Sequence, residues 1–151
     1  MKLREIQVHA TSATSPERVY SLLVDGQTWP EWAPIDAFTL ERPGDTAPEG
    51  VGAIRVLRRG RVTGRDEILE LVPNRRLRYA TLSGLPVRDY VGQVDLEPAP
   101  DGGTAIHWHS SFFPEKRGMG WILELGIKRF LAQCASGRAK YAAHGRDVRA
   151  A

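Results

Sequence analysis

From Ile35 to Phe113 the chain never runs far in one direction. The breakers "PGDTAPEG", Gly60, "PN", "GLP" and "PAPDGG" cut it into six segments, at about 36–42, 51–59, 62–72, 76–83, 87–97 and 104–113. Links this short join antiparallel neighbours, because a parallel crossover takes about a dozen residues or more. After Pro114 the period changes. Ile122, Leu123, Ile127, Phe130, Leu131 and Cys134 recur at helical spacing, and the helix is expected to reach about Ala143. A meander with a large apolar face, followed by one long amphipathic helix, predicts an α+β layer in which the helix covers the sheet.

The first 35 residues add a strand and a corner. Glu5 to Ala10, "EIQVHA", alternates with Ile6 and Val8 on one face. Ser15 is a good N-cap and Pro16 suits the first helical position, so that Val19, Leu22 and Leu23 share a helix face. In "QTWPEWAP", Trp29 precedes a proline and is biased out of the helical region, Pro30 begins another turn, and Pro34 biases Ala33 against continuing it. The predicted order is strand, two short helices, six strands and long helix.

A chain of 151 residues fits one domain spanning 1–151, and at this size it buries about 68–70% of its unfolded surface. One cysteine and four scattered histidines exclude a disulfide framework and a cysteine-histidine zinc pattern. The N-terminus lacks the apolar run of a signal peptide. "MGWILELGIKRFLAQCA" is interrupted by Glu124, Lys128 and Arg129, so no transmembrane segment is expected and the protein is read as cytoplasmic. A net charge of +3 and a pI near 9.3, with acidic residues interspersed, do not call for nucleic acid.

The segments "SPERVYSLLVDGQTWPEW", "ILELVPNRRLRYATLSGLP" and "YVGQVDLEPAPDGGTAIHWHSSF", in this order and followed by the terminal helix, are similar to the polyketide cyclase/dehydrase branch of the START-like (SRPBCC) superfamily. The resemblance covers nearly the whole chain. It implies a helix-grip fold: a curved seven-stranded antiparallel sheet wraps around the long C-terminal helix, two short helices follow the first strand, and an apolar cavity lies between sheet and helix. It does not imply one activity, because such proteins include cyclases, lipid and sterol carriers and hormone receptors, with no shared catalytic motif.

Within that fold, Trp32 is expected to wedge into the corner under the long helix and Trp29 to cover the cavity mouth, or both simply pack. Alternation puts Thr104, Ile106, Trp108, Ser110 and Phe112 on the inner face. His107 and His109 then point together to the convex side, with no third metal ligand in reach, and read as solvated. Tyr79 and Tyr90 are placed to hang phenols inward. If Gly60-Arg61 forms a type II′ turn, Arg55 faces Asp66; a three-residue link would put it opposite Arg65, diagonal to Glu67. Parity does not decide which charges enter, and any that does needs a partner. Cys134 sits on the helix's apolar stripe and reads as core.

The expected ligand-binding set is therefore Trp32, Arg55, Glu67, Tyr79, Tyr90, Trp108, Phe112, Leu123 and Ile127, with no metal, no cofactor and no assigned catalytic residue. The expected partner is a small hydrophobic molecule, and the sequence is compatible with a homodimer. Two other functions stay open. One is a cyclase/dehydratase-type enzyme using polar groups of the cavity. The other is an interaction module whose basic sheet surface, with Arg58, Arg59, Arg61, Arg65, Arg75, Arg76 and Arg78, meets an anionic partner.

Overall fold

The structure, a computed structural model, describes the backbone of residues 2–150 and the side chains of residues 2–137. Strand β1 (Arg4–Ser12) leads into α1 (Pro16–Val24), a 3-10 turn (Gly26–Thr28) and α2 (Trp29–Trp32). Then come β2 (Ala37–Arg42), β3 (Ile54–Arg59), β4 (Val62–Val72), β5 (Arg76–Ser83), β6 (Val87–Pro98), β7 (Thr104–Pro114) and α3 (Gly120–Ala150). All seven strands form one antiparallel sheet in the order β1-β7-β6-β5-β4-β3-β2. The meander of six strands is as expected, and β1 returns to pair with β7.

Helix α3 lies across β1 and β7 and touches α1 and α2. Its buried stripe is Ile127, Leu131, Cys134 and Ala135, with Leu123 and Phe130 partly covered. Ile122, expected in that stripe, is instead exposed, as are Trp121 and Leu125, while Leu123 packs against the core. The helix also runs on to Ala150, past the expected end.

Three local features show how sequence sets shape. Ser15 Oγ accepts the Arg18 N–H at 3.4 Å, and Pro16 opens α1 as predicted. Strand β3 begins three residues later than expected because Val51 and Gly52 form a turn, with Gly52 at φ +90°. Trp29 departs from the rule for residues before proline: it is helical at φ −55° and ψ −41° and starts α2. Its backbone N–H donates to the Gly26 carbonyl and its indole N–H to the Leu23 carbonyl at 3.2 Å, so tertiary packing overrides the local bias. Ala33 before Pro34 is extended, as the sequence predicts.

Candidate functional site

The Gly60-Arg61 turn decides the register. Gly60 takes φ +58° and Arg59 pairs with Val62, which places Arg55 opposite Asp66. Both side chains then face the helix side, together with Leu57 and Ile68. Across β5, Tyr79 joins them opposite Gly92 of β6. A methyl group at Gly92 would fall onto the Tyr79 ring, so this glycine makes the room the phenol occupies.

Arg55 is 3% exposed. Its Nη1 donates to the Leu23 carbonyl at 3.3 Å, the same oxygen that accepts the Trp29 indole, and its Nε lies 3.5 Å from Glu49 Oε1. The guanidinium also sits 4.9 Å from the Trp29 ring centroid and 5.5 Å from that of Phe38. Among the described residues, its Nε and Nη2 have no hydrogen-bond partner although both are shielded from solvent. Glu49, which accepts the Gly26 N–H at 2.9 Å, is pushed up by burial against the opposing pull of Arg55.

Asp66 is part-buried, and its Oδ1 accepts the Thr81 hydroxyl at 2.8 Å. Protein atoms crowd the carboxyl, and this desolvation pushes its pKa up to about 6 against the lowering effects of Thr81 and Arg55. Tyr79 Oη accepts the Trp108 indole N–H at 3.1 Å, and burial raises its pKa well above that of an ordinary phenol. Tyr90 is pushed up to about 12, chiefly by burial. Both phenols are therefore neutral at physiological pH and present hydroxyl groups.

These polar groups meet in a small space between sheet and α3, lined by Trp29, Arg55, Leu57, Asp66, Tyr79 and Phe130 among others. Its volume is about 40 Å³. Ligand pockets occupy about 300–1,000 Å³, so this space, among the described residues, is closed down to roughly the size of a water.

Of the residues expected from sequence, Arg55, Tyr79 and Trp108 line this space. Tyr90 and Phe112 are buried, stacked at 5.8 Å, and Ile127 and the partly buried Leu123 pack from α3 onto the core. Two expectations need correction. Glu67 points to the other face, where its Oε2 accepts Arg42 Nη2 at 2.9 Å, because its pairing opposite Ile54 sets it on the side away from Arg55. Trp29, not Trp32, reaches the polar groups; Trp32 donates to Thr28 Oγ1 at 3.0 Å and backs Trp29, with ring centroids 4.5 Å apart. The "WPEW" corner is thus a support: at Gly137, α3 passes so close to the Trp32 carbonyl that a Cβ has no room. Asp66 and Phe130 were not in the expected set, although one of the two turn readings put Asp66 opposite Arg55, and that is the register the structure has.

On the outer face, the β6–β7 register supplies what the His107 and His109 pair lacked. Asp95 pairs opposite His107, and its Oδ2 lies 3.0 Å from His109 Nε2. His9 of β1 stacks on His107 with centroids 4.4 Å apart. Burial, then the neighbouring His109 and His9, lower the His107 pKa.

A family model described as "Polyketide cyclase / dehydrase and lipid transport" matches residues 4–142. An uncharacterised protein of Mycobacterium tuberculosis is 29% identical over 101 residues, which are 64% of this chain and 58% of that protein. The chain thus spans somewhat over half the length of the curated relatives it matches. Among solved structures, XoxI from Bacillus cereus superposes with a TM-score of 0.77 at 15% identity, covering 95% of this chain and 97% of the other. Norcoclaurine synthase from Thalictrum flavum, in complex with dopamine and hydroxybenzaldehyde, gives 0.75 at 13% identity, covering 95% and 88%. Ara h 8.0201 gives 0.74 at 17% identity, covering 93% and 98%. At these identities the structures speak to fold alone, and they share the helix-grip architecture. The match over residues 4–142 is what assigns kinship: the chain belongs to the polyketide cyclase/dehydrase and lipid-transport family of the START-like superfamily.

Proposed function

We propose that this protein binds a small, largely apolar molecule bearing an oxygenated end, in the space between the sheet and α3. The observation that carries the reading is the buried Arg55, set opposite Asp66: among the described residues its Nη2 has no hydrogen-bond partner and its Nε has only the 3.5 Å ion pair to Glu49. A core chosen for stability alone does not bury a charge in this way, since buried polar groups are normally hydrogen-bonded. Arg55 Nη2 supplies a donor for a ligand oxygen, Asp66 an acceptor or a proton, and Trp29, Leu57, Trp108 and Phe130 the apolar contact. Family membership supports ligand binding in general. Entry of a ligand requires the 40 Å³ space to widen, and Phe130, on α3 with Arg59 stacked 5.6 Å from its ring, is the wall that moves. The lone thiol Cys134, buried in the core, fits a cytoplasmic setting.

Native mass spectrometry of the purified chain, followed by organic extraction, tests this. The expected result is a retained small molecule, or capture from a panel of aromatic polyketides and fatty acids, with amide NMR shifts centred on Arg55, Asp66 and Tyr79. A clean mass together with no shifts at these residues from any member of the panel overturns it.

Asp66 motivates a second reading as a cyclase/dehydratase-type enzyme. A carboxyl with a pKa of about 6 is poised to take and return a proton near neutral pH, so turnover of a captured ligand that vanishes in Asp66→Asn would move the protein from carrier to enzyme. The basic-surface reading is weakened by pairing: Arg65 contacts Glu41, and Arg76 contacts Asp95 and Glu70.

A further inference from the structure

The outer face of β6 and β7 carries a cluster that the interior site does not use. We propose that Asp95, His107 and His109 form a binding site for a divalent transition metal of the zinc or cobalt kind, with His9 holding the His107 ring in place. One donor atom from each of the three ligands lies within 4.8 Å of the other two. Four-coordinate zinc, with bonds of about 2.0–2.1 Å, spaces its donors roughly 3.3 Å apart. Side-chain rotation closes that difference without moving the ladder that fixes the backbones.

The ladder itself does the positioning. His107 and His109 are two apart on β7 and share a face, Asp95 stands opposite His107 on β6, and His9 stands opposite it on β1. His9 lies flat on His107 at an interplanar angle of 3°, and the His109 ring is 4.6 Å away on its other side. His107 Nε2 is shielded from solvent and has no hydrogen-bond partner among the described residues. Such a nitrogen is an exception among native polar groups, and a bound cation gives it the partner it lacks.

Outer contacts hold the carboxylate in place. Arg76 Nε donates to Asp95 Oδ1 at 2.7 Å and Gln93 Nε2 to Oδ2 at 2.8 Å. Oδ2 also faces His109 Nε2, so a metal takes the place of the proton shared there. Arg76 occupies the opposite oxygen, which limits its repulsion of the cation and orients the group, as partners behind metal ligands commonly do. Two imidazoles and one carboxylate favour zinc, cobalt, nickel or copper over magnesium or calcium. Three protein ligands would leave the fourth position of a tetrahedral ion to water or a further ligand, and an open outer concavity of about 960 Å³, lined in part by His9, Arg75, Asp95, Glu97 and His107, adjoins the cluster.

The test is a Co²⁺ titration of the full chain without a polyhistidine tag, read by visible absorption and competed with Zn²⁺. The expected result is one metal per chain with the strong visible bands of a four-coordinate ion, lost in His107→Ala and His109→Ala and kept in His144→Ala. Circular dichroism reports whether each variant folds. Histidine-ring NMR of the unaltered chain gives a readout independent of folding: Zn²⁺ should move the His107 and His109 signals first. Bands that survive His107→Ala, binding well below one per chain, or Zn²⁺ shifts confined to His144 overturn the proposal.

Discussion

Asp66→Asn should make the protein more stable at neutral pH, and by an amount that depends on pH in a defined way. The unfolded chain gives up this proton near the ordinary value of 3.8, whereas the folded chain keeps it to about 6. Between these values the folded state binds more protons, so stability falls as pH rises. Its slope is about 1.4 kcal/mol per pH unit, and the total loss is about 3 kcal/mol, complete above roughly pH 6. An asparagine stands in for the protonated acid at every pH and still accepts from Thr81. The attraction of Arg55 is already contained in the folded pKa, and Arg55 remains charged throughout. Urea unfolding at pH 3.5, 5 and 8 should therefore show the two proteins nearly equal at the lowest pH and the variant ahead by about 3 kcal/mol at the highest. A difference that is flat with pH, or a variant that is less stable at pH 8, refutes the claim that the folded site holds this carboxyl at a cost. The same variant should lose retention of an oxygenated ligand, so the stability gained and the binding lost report on one group.

Other substitutions separate the inner site from its surroundings. Arg55→Ala should cost about 3 kcal/mol, because it strips the partly buried Glu49 of its cationic partner, and unfolding of this variant should lose less stability when Glu49 is also changed to Gln. Gly92→Ala should cost about 1–3 kcal/mol by displacing the Tyr79 ring, and the indole signal of Trp108, which donates to that phenol, should shift in the NMR spectrum. Glu67→Gln should change stability by about 1 kcal/mol or less and leave ligand capture unaltered, since among the described residues the side-chain partner of Glu67 is the outer Arg42; an effect on capture would return Glu67 to the binding site.

The fold was legible because it rests on signals that survive tertiary context. Turn chemistry placed the six meander strands to within three residues, and alternation on β7 correctly assigned Trp108 and Phe112 to the inner face. The site was legible only where a single residue type settled its environment. Tyr79 and Trp108 are large and apolar enough that burial was a sound expectation. Arg55 and Glu67 carry opposite charges, each surrounded by apolar neighbours on both faces of the hairpin, and composition gave no reason to bury one and expose the other. The deciding quantity was a register, set by two residues at Gly60 and Arg61. Asp95 escaped notice for a related reason: it is 12 residues from His107, and only strand pairing makes them neighbours.

Closure of the interior and the polarity of its lining act together. The space of about 40 Å³ among the described residues is too small for a ligand of the usual pocket size, so the proposed binding there requires an open form whose population would scale the observed affinity. If that form is present at about 1%, an intrinsic dissociation constant is weakened about a hundredfold. Desolvation of Arg55 and Asp66 in the closed form would be relieved in an open form in which solvent or ligand reaches them, which would narrow the gap between the two forms. The pH dependence of Asp66 then enters a second time: below its pKa the closed form loses one buried charge and is favoured, whereas above it the open form gains. Ligand capture should accordingly strengthen as pH rises through about 6, provided the ligand is itself neutral over that range and accepts no proton from Asp66. Isothermal titration with a neutral captured ligand between pH 5 and 7.5 decides it, and an affinity that is constant or falls across this window separates the carboxyl from the opening of the site.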